Sequence, residues 1–168
     1  MVEVPARPVW ECGACGQARP WQLVSDVVMG GISKGQLDHD DTGIAVFHGD
    51  LSLENDGGFV TASLEVPPLD LAPCTGLRVQ ARGDGRRYRL TLRGEGMSDG
   101  VRYQFPFETR GGDWGLYDMP LAEFVAMYRG RPVDEQPLER IRLTSVGLLI
   151  ADGNPGRFEL QLKGIFAV

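Results

Sequence analysis

The chain has 168 residues, a length that allows one substantial hydrophobic core. Its 42% hydrophobic and 24% charged residues exclude the disordered and fibrous classes of protein. The formal net charge of −6 argues against nucleic acid as a partner, because phosphate backbones are held mainly by clustered Lys and Arg.

The N-terminal segment, residues 1–20, contains several Pro and Gly residues and no apolar period, which predicts an extended arm. This segment lacks the charged and apolar regions of a secretory signal, and no transit peptide is visible. No apolar run in the sequence is long enough to span a bilayer. We therefore expect one folded domain over residues 21–168 and a cytoplasmic, bacterial-type location.

The predicted arm contains a C-x-x-C pair, Cys12 and Cys15. Such a pair can supply half of a zinc site or act as a redox pair. The other zinc ligands would have to be Cys74, His39 or His48, since the sequence has three cysteines and two histidines. We interpret the pair as part of a mobile arm and keep it as a weak metal candidate. No cofactor is expected.

From residue 21 onward, short apolar alternations are separated by clusters of Gly, Asp, Asn and Pro, as is typical of a β-sandwich. Over residues 88–93, Tyr88, Leu90 and Leu92 alternate with polar residues, which predicts one buried and one solvated face. Similar patterns predict strands over 44–53, 59–65, 76–81, 101–108, 143–150 and 158–163.

Only residues 121–128, which follow Pro120, resemble a helix, and they are too few to define the fold. A parallel α/β architecture needs a crossover helix between successive strands, and the sequence offers none. The sequence therefore predicts an all-β, two-sheet antiparallel sandwich.

Catalytic motifs are absent from the sequence: it has no Gly-x-Ser-x-Gly elbow, phosphate-binding loop or His-Glu-x-x-His. We interpret His39 and His48 as surface residues, and we expect no enzymatic activity. A catalytic alternative would require Asp26, His48, Asp56 and Asp84 to converge in the fold.

Two glycine-rich segments stand out as paired, shaped loops, because Gly-Gly pairs adjoin short polar side chains that can bind backbone amides. They are either tight turns that close the sandwich or a binding surface. The binding candidates in these loops are Asp26, Met29, Gly30, Gly31, Ser33, Asn55, Asp56, Gly57 and Gly58.

An ordered series of motifs in this sequence resembles the complex I intermediate-associated protein 30 family. The matching segments include 25–33 (SDVVMGGIS), 47–49, 55–59, 83–85, 146–150 and 156–158, and the resemblance covers roughly residues 21–168. It leaves Cys12 and Cys15 outside. The chain departs from the family at residues 60–63, because an arginine usually follows soon after the second Gly-Gly pair.

The resemblance implies a galactose-binding-like jelly roll of the kind also found in carbohydrate-binding modules. It further implies a non-catalytic, protein-binding role similar to that of assembly factors of respiratory complex I. The expected partner is therefore a protein, such as a subunit of a membrane complex or an assembly intermediate.

A carbohydrate- or small-ligand-binding module is the alternative, because the implied fold is shared with sugar binders. Such sites combine aromatic rings with polar side chains that bind hydroxyls. The candidates are Arg89, Arg102, Gln104 and Trp114, with Thr91, Tyr103 and Tyr117. Large aromatic residues are usually buried, so Tyr103 and Trp114 have an alternative interpretation as core residues.

Overall fold

A computed structural model describes residues 6–13 and 20–168 of the chain. The described residues form two sheets whose named strand pairs are all antiparallel. The first sheet contains β1 (Arg7–Glu11), β3 (Lys34–His39), β4 (Ala45–Leu51), β6 (Gly76–Arg82), β9 (Trp114–Pro120) and β13 (Gly156–Ala167). Its strand order is β3-β4-β13-β6-β9, and β1 pairs with β13.

The second sheet has the order β11-β10-β8-β7-β12-β5-β2. Its strands are β2 (Gln22–Ser25), β5 (Val60–Asp70), β7 (Arg87–Gly94), β8 (Arg102–Glu108), β10 (Val125–Tyr128), β11 (Arg131–Pro132) and β12 (Arg142–Ile150). Short 3₁₀ turns lie at Asp26–Met29, Glu54–Asp56, Leu121–Glu123 and Leu138–Arg140. The prediction of an all-β, two-sheet antiparallel sandwich is confirmed.

The hydrophobic core lies between the two sheets. Tyr88, Leu90 and Leu92 of β7 are fully buried, as their alternation predicts. Phe158 of β13 joins the sheets, since its ring centroid lies 5.0 Å from that of Phe47 and 6.5 Å from that of Tyr88. The strands predicted from apolar alternation thus supply both faces of the core.

The helix predicted over residues 121–128 is wrong. Leu121–Glu123 forms a 3₁₀ turn, and Val125–Tyr128 then pairs with β8, with Val125 opposite Gln104. Eight residues gain little from an isolated helix, whereas strand pairing satisfies the backbone of β8 along its outer edge.

Part of the predicted N-terminal arm is a strand of the sandwich. Arg7–Glu11 pairs with β13 over its C-terminal residues, Gly164–Ala167, beyond the segment that pairs with β4. Trp10 also packs edge-on against Trp21 at 5.8 Å between centroids. Backbone pairing needs no apolar period, so the sequence carries no clear signal for β1. The domain boundary at residue 20 stays a prediction.

Within residues 6–13 and 20–168, no helix has the length and apolar character needed to cross a membrane.

Candidate functional site

Two loops meet at one end of the sandwich, beside the edge strands β2 and β3. The first loop, residues 26–33, begins with the 3₁₀ turn that follows β2, where the Ser25 hydroxyl accepts a hydrogen bond from the Val27 amide at 3.4 Å. Gly30 ends the turn with φ of 87°, a left-handed conformation that glycine adopts without strain. The second loop, residues 52–58, follows β4 and contains the turn Glu54–Asp56.

The Asp26 carboxylate joins the two loops from inside the protein. Its side chain is fully buried, and it accepts hydrogen bonds from the Ser33 amide at 2.9 Å, the Ser33 hydroxyl at 2.5 Å and the Gly58 amide at 2.6 Å. The Ser33 oxygen in turn accepts the amide of Ser52 at 2.9 Å. One carboxylate therefore fixes the first loop to the second.

These hydrogen bonds determine the charge state of Asp26. Burial raises the pKa of the carboxyl, but the bonds from Ser33 and Gly58, with a smaller contribution from Phe59, outweigh burial and hold the pKa below its ordinary value. Asp26 is thus an ionised, buried carboxylate that accepts three hydrogen bonds from the chain.

Two glycines of the motif make room for this carboxylate. A Cβ atom at Gly31 would lie 2.5 Å from the Asp26 side chain, and one at Gly57 would lie 2.5 Å from its Oδ2 atom. The loops are also linked at the surface, where the Asn55 side-chain amide donates to the Gly30 carbonyl at 3.2 Å. The structure therefore brings the predicted loop residues together as a scaffold.

What the loops present to solvent is apolar. Val28 and Met29 are 73% and 64% exposed, and the other large apolar side chains of the two loops are also exposed. We call this set the apolar crest; it consists of Val27, Val28, Met29, Ile32 and Leu53. Of the predicted binding residues, Met29 alone belongs to the crest, while Asp56 lies beside it on the second loop.

The crest continues into the edge of the second sheet. Leu23 and Val24 of β2 are both exposed, and β2 pairs with β5 on one side only. A cleft of about 1050 Å³ separates β2 from β3 and is lined by residues of both strands and by His48 and Asp84. Sequence reasoning missed this surface, although apolar residues between Gly and Asp in a turn are a signal for it.

Two of the groups named for a catalytic alternative, His48 and Asp84, line the cleft between β2 and β3, but each is bound to another partner. His48 bonds to Asp38 at 2.7 Å, and Asp26 is occupied by the backbone. Asp84 accepts the Tyr88 hydroxyl at 3.0 Å and the Glu159 amide at 2.8 Å. None of these hydrogen bonds joins one candidate to another.

A second surface is the outer face of the second sheet. The strand register places Arg93 opposite Ser145, which pairs in turn with Glu65. In the neighbouring row, Gly147 lies between Ser63 and Thr91, and Thr91 pairs with Gln104. Gly147 leaves no room for a side chain, because a Cβ there would lie 2.6 Å from the Thr91 hydroxyl. The small residues leave a depression along this face.

We call this depression the sheet groove; its volume is about 370 Å³, and it is lined by Pro20, Gln22, Ser63, Glu65, Arg93, Arg102, Thr144 and Ser145. Arg93 is held by the carbonyls of Ser98 and Val101 at 2.9 and 2.8 Å. The Nη1 atom of Arg102 is buried and has no hydrogen-bond partner among the described residues. Burial lowers the pKa of the Arg102 guanidinium, and the charge of Arg93 lowers it further.

The remaining candidates do not assemble into one sugar site. Arg89 donates to Gln104 at 2.9 Å beside the groove, but Trp114 lies in β9 of the first sheet with the Lys163 ammonium 4.8 Å above its ring. Tyr103 is a core residue whose hydroxyl donates to the Gln136 carbonyl. The residues that line the groove include no aromatic side chain.

Cys12 is a half-buried free thiol whose amide donates to the Lys163 carbonyl at 3.0 Å. Cys15 lies outside the described residues, so the zinc or redox hypothesis for the pair stays a prediction. Within residues 6–13 and 20–168, no group of three or more His, Cys, Asp or Glu side chains could hold a metal ion.

The fold is that of a jelly-roll sandwich of the carbohydrate-binding-module class. It is similar to the family 11 carbohydrate-binding module from Clostridium thermocellum, solved with a β-1,3-1,4-mixed-linked tetrasaccharide (TM-score 0.66, 14% identity, 99% of this chain and 97% of that chain). A variant of a family 29 module gives a TM-score of 0.56 at 10% identity over 98% of this chain and 92% of that chain. At such identities the likeness concerns the fold alone.

The sequence defines the family more narrowly. The model of the complex I intermediate-associated protein 30 (CIA30) family matches residues 12–162, and the chain belongs to this family. The match begins at Cys12, so the expectation that Cys12 and Cys15 lie outside it is wrong.

A curated relative is the mitochondrial complex I intermediate-associated protein 30 of Drosophila melanogaster, 32% identical over 93 residues. That match covers 51% of this chain and 31% of the relative, so it spans less than a third of the Drosophila protein. The CIA30 family and the neighbours that are carbohydrate-binding modules are non-catalytic kinds of protein.

Proposed function

We propose that this chain is a non-catalytic protein-binding domain that assists the assembly of a membrane complex of the respiratory complex I type, and that its partner docks on the apolar crest. The observation that carries the proposal is the contrast within one motif. Asp26 is buried and fully hydrogen-bonded, while Val28 and Met29 beside it are among the most exposed apolar side chains of the described chain. Exposed apolar patches of this kind mark interaction sites.

The loop geometry favours binding because the crest is held in place before any partner arrives. The Asp26 hydrogen bonds and the Asn55 link restrain both loops, so little conformational entropy remains to be lost on docking. Full burial of a Val, Leu, Ile or Met side chain contributes about 1.5–3 kcal/mol, so even partial burial of the five crest residues supports a specific complex.

Family membership supplies the kind of partner. The Drosophila relative carries the name of a protein associated with complex I intermediates, and this chain shares about half of its own length with that protein. The Asp26 carboxylate and the Ser33 hydroxyl are occupied by structural hydrogen bonds, which favours a binding role of these loops over a reaction. The proposed partner is therefore a subunit or subcomplex of the complex I type, and no cofactor takes part.

The test is affinity purification of the tagged chain from its source cell in mild detergent, followed by mass spectrometry. The wild type is compared with a Val28→Glu/Met29→Glu variant. Leu116→Glu is the matched control, because Leu116 is 62% exposed but lies in β9, away from the loops. Complex I subunits should co-elute with the wild type and the control and be lost from the crest variant. Recovery of the wild type alone would contradict the proposal.

A carbohydrate-binding role is the second candidate, and the sheet groove favours it. The fold neighbours are carbohydrate-binding modules, one of them solved with a bound tetrasaccharide, and the groove offers hydroxyl and guanidinium groups that could bind sugar hydroxyls. The lack of an aromatic side chain in its lining weakens this candidate. Titration with the mixed-linked tetrasaccharide tests it, and an absence of binding would remove it.

A further inference from the structure

The geometry points to the sheet groove as a binding site for a carboxylate-bearing small molecule, with Arg102 and Arg93 as its cationic side chains. This site lies on the second sheet and is independent of the crest and of the proposed protein partner. The carboxylate belongs either to a simple organic acid or to a uronic sugar.

One nitrogen of the Arg102 guanidinium is buried without an acceptor in the described part of the chain. Among residues 6–13 and 20–168, the buried Nη1 atom of Arg102 has no hydrogen-bond partner, and its guanidinium forms no ion pair. A buried charged donor without an acceptor is destabilising, and a ligand that brings an acceptor atom to it would remove this penalty. Arg102 also lines the groove, which has room for a small ligand.

The positive charge of Arg93 beside Arg102 also favours a bound anion. Arg93 lies on the adjacent strand and repels Arg102 strongly enough to contribute to the lowered pKa of the Arg102 guanidinium. The Asp99 carboxylate lies 3.9 Å from Arg93 but is fully exposed, and it does not reach Arg102. An anion bound between the two guanidinium groups would offset their repulsion and supply the missing acceptor.

The other residues that line the groove suit a carboxylate better than a neutral sugar ring. Ser63 and Ser145 place hydroxyl donors on neighbouring strands, and no aromatic side chain in the lining offers a surface for stacking. The strand register places Glu65 two strands from Arg93, on the other side of Ser145.

The experiment is calorimetric titration of the full chain with D-galacturonate, D-galactose and citrate. Galacturonate and galactose differ in the carboxylate, and citrate carries carboxylates without a sugar. At least one of the two acids should bind with a millimolar or lower Kd, and galactose should not bind. Binding of both acids would indicate that the carboxylate itself is recognised, whereas binding of galacturonate alone would indicate a uronic sugar.

The variant that tests the residue is Arg102→Met, with Arg87→Met as a control because Arg87 forms an exposed ion pair with Glu108. Arg102→Met should weaken acid binding about tenfold or more, and Arg87→Met should not. Without ligand, Arg102→Met should raise Tm by about 2–4 °C, because it removes a half-buried guanidinium whose buried Nη1 atom has no acceptor among the described residues. Failure of both acids to bind up to roughly 20 mM, equal binding of galactose, unchanged binding in Arg102→Met, or a fall in its ligand-free Tm would each overturn the inference.

Discussion

The Asp26 carboxylate and the Ser33 hydroxyl meet at 2.5 Å in the interior, seven residues apart in sequence, and this contact closes the first loop around a buried charge. The same carboxylate reaches 32 residues along the chain to the Gly58 amide. A side chain that the sequence predicts as a binding residue thus holds two loops together.

Replacing Asp26 by Asn should destabilise the protein by about 2–4 kcal/mol, because the new amide group would face the donors of Ser33 and Gly58. Urea unfolding measures the change. Asp56→Asn in the exposed second loop is the control and should change the free energy of unfolding by less than about 0.5 kcal/mol. Equal effects in the two variants would show that Asp26 has no special role.

Gly57→Ala should lower the free energy of unfolding by about 1–3 kcal/mol. The reason is steric and not conformational, because φ at Gly57 is −76°, a value that any residue can adopt. The added methyl would press on Asp26 and, at 2.9 Å, on the Glu54 carbonyl. In an Asp26→Ala background much of this cost should disappear. Gly111→Ala is the control, because a Cβ added at Gly111 would lie 3.9 Å from its nearest neighbouring atom. If the stability losses of Gly57→Ala and Asp26→Ala were strictly additive, the predicted contact between the added methyl and Asp26 would be contradicted.

Arg86 holds a loop in a similar way, because its side chain binds the residues that precede and begin β13. Its guanidinium binds Asp152 through Nε at 2.9 Å and Nη2 at 2.7 Å, and it also donates to the carbonyls of Asn154, Gly156 and Arg157. Lysine cannot reproduce this planar set of donors, so Arg86→Lys should cost about 2–4 kcal/mol by urea unfolding. Arg87→Lys, in an exposed pair, should cost less than about 0.5 kcal/mol. A similar loss of stability in Arg86→Lys and Arg87→Lys would refute this role of Arg86.

Stability should fall as the solution is acidified below the ordinary Asp pKa of 3.8. Burial raises the pKa of Asp152, but the hydrogen bonds from Arg86 and Asn154 lower it by more, and the pKa of Asp26 is lowered as well. The unfolded chain therefore takes up these protons first, so the stability is present above 3.8 and lost as pH falls through the folded-state values. The urea midpoint should drop between about pH 4 and 2, and less steeply in Asp152→Asn. A midpoint that stays constant over this interval would contradict the prediction.

The sequence predicted the strands whose two faces differ chemically. Tyr88, Leu90 and Leu92 face the core as their alternation requires, because burial of one face is a local property of the chain. The sequence did not predict short edge strands such as Val125–Tyr128, since their pairing depends on the exposed edge of β8, which is distant in sequence.

The sequence predicted the loop residues that come together, but not the apolar crest that these loops expose. The loop residues Asp26, Gly31, Ser33, Gly57 and Gly58 do assemble, yet they turn inward, because whether a carboxylate meets a distant amide or a ligand depends on loop geometry. Trp114 was grouped with Arg102 by residue type, whereas strand order places them in different sheets.

The most direct measurement of the central claim separates binding from folding in one variant, Val28→Glu/Met29→Glu. Its side chains are exposed, so its free energy of unfolding should stay within about 1 kcal/mol of the wild type. The account predicts that this stable variant loses the complex I subunits that co-purify with the wild type and with Leu116→Glu. Full retention of those subunits by a folded crest variant would contradict the account.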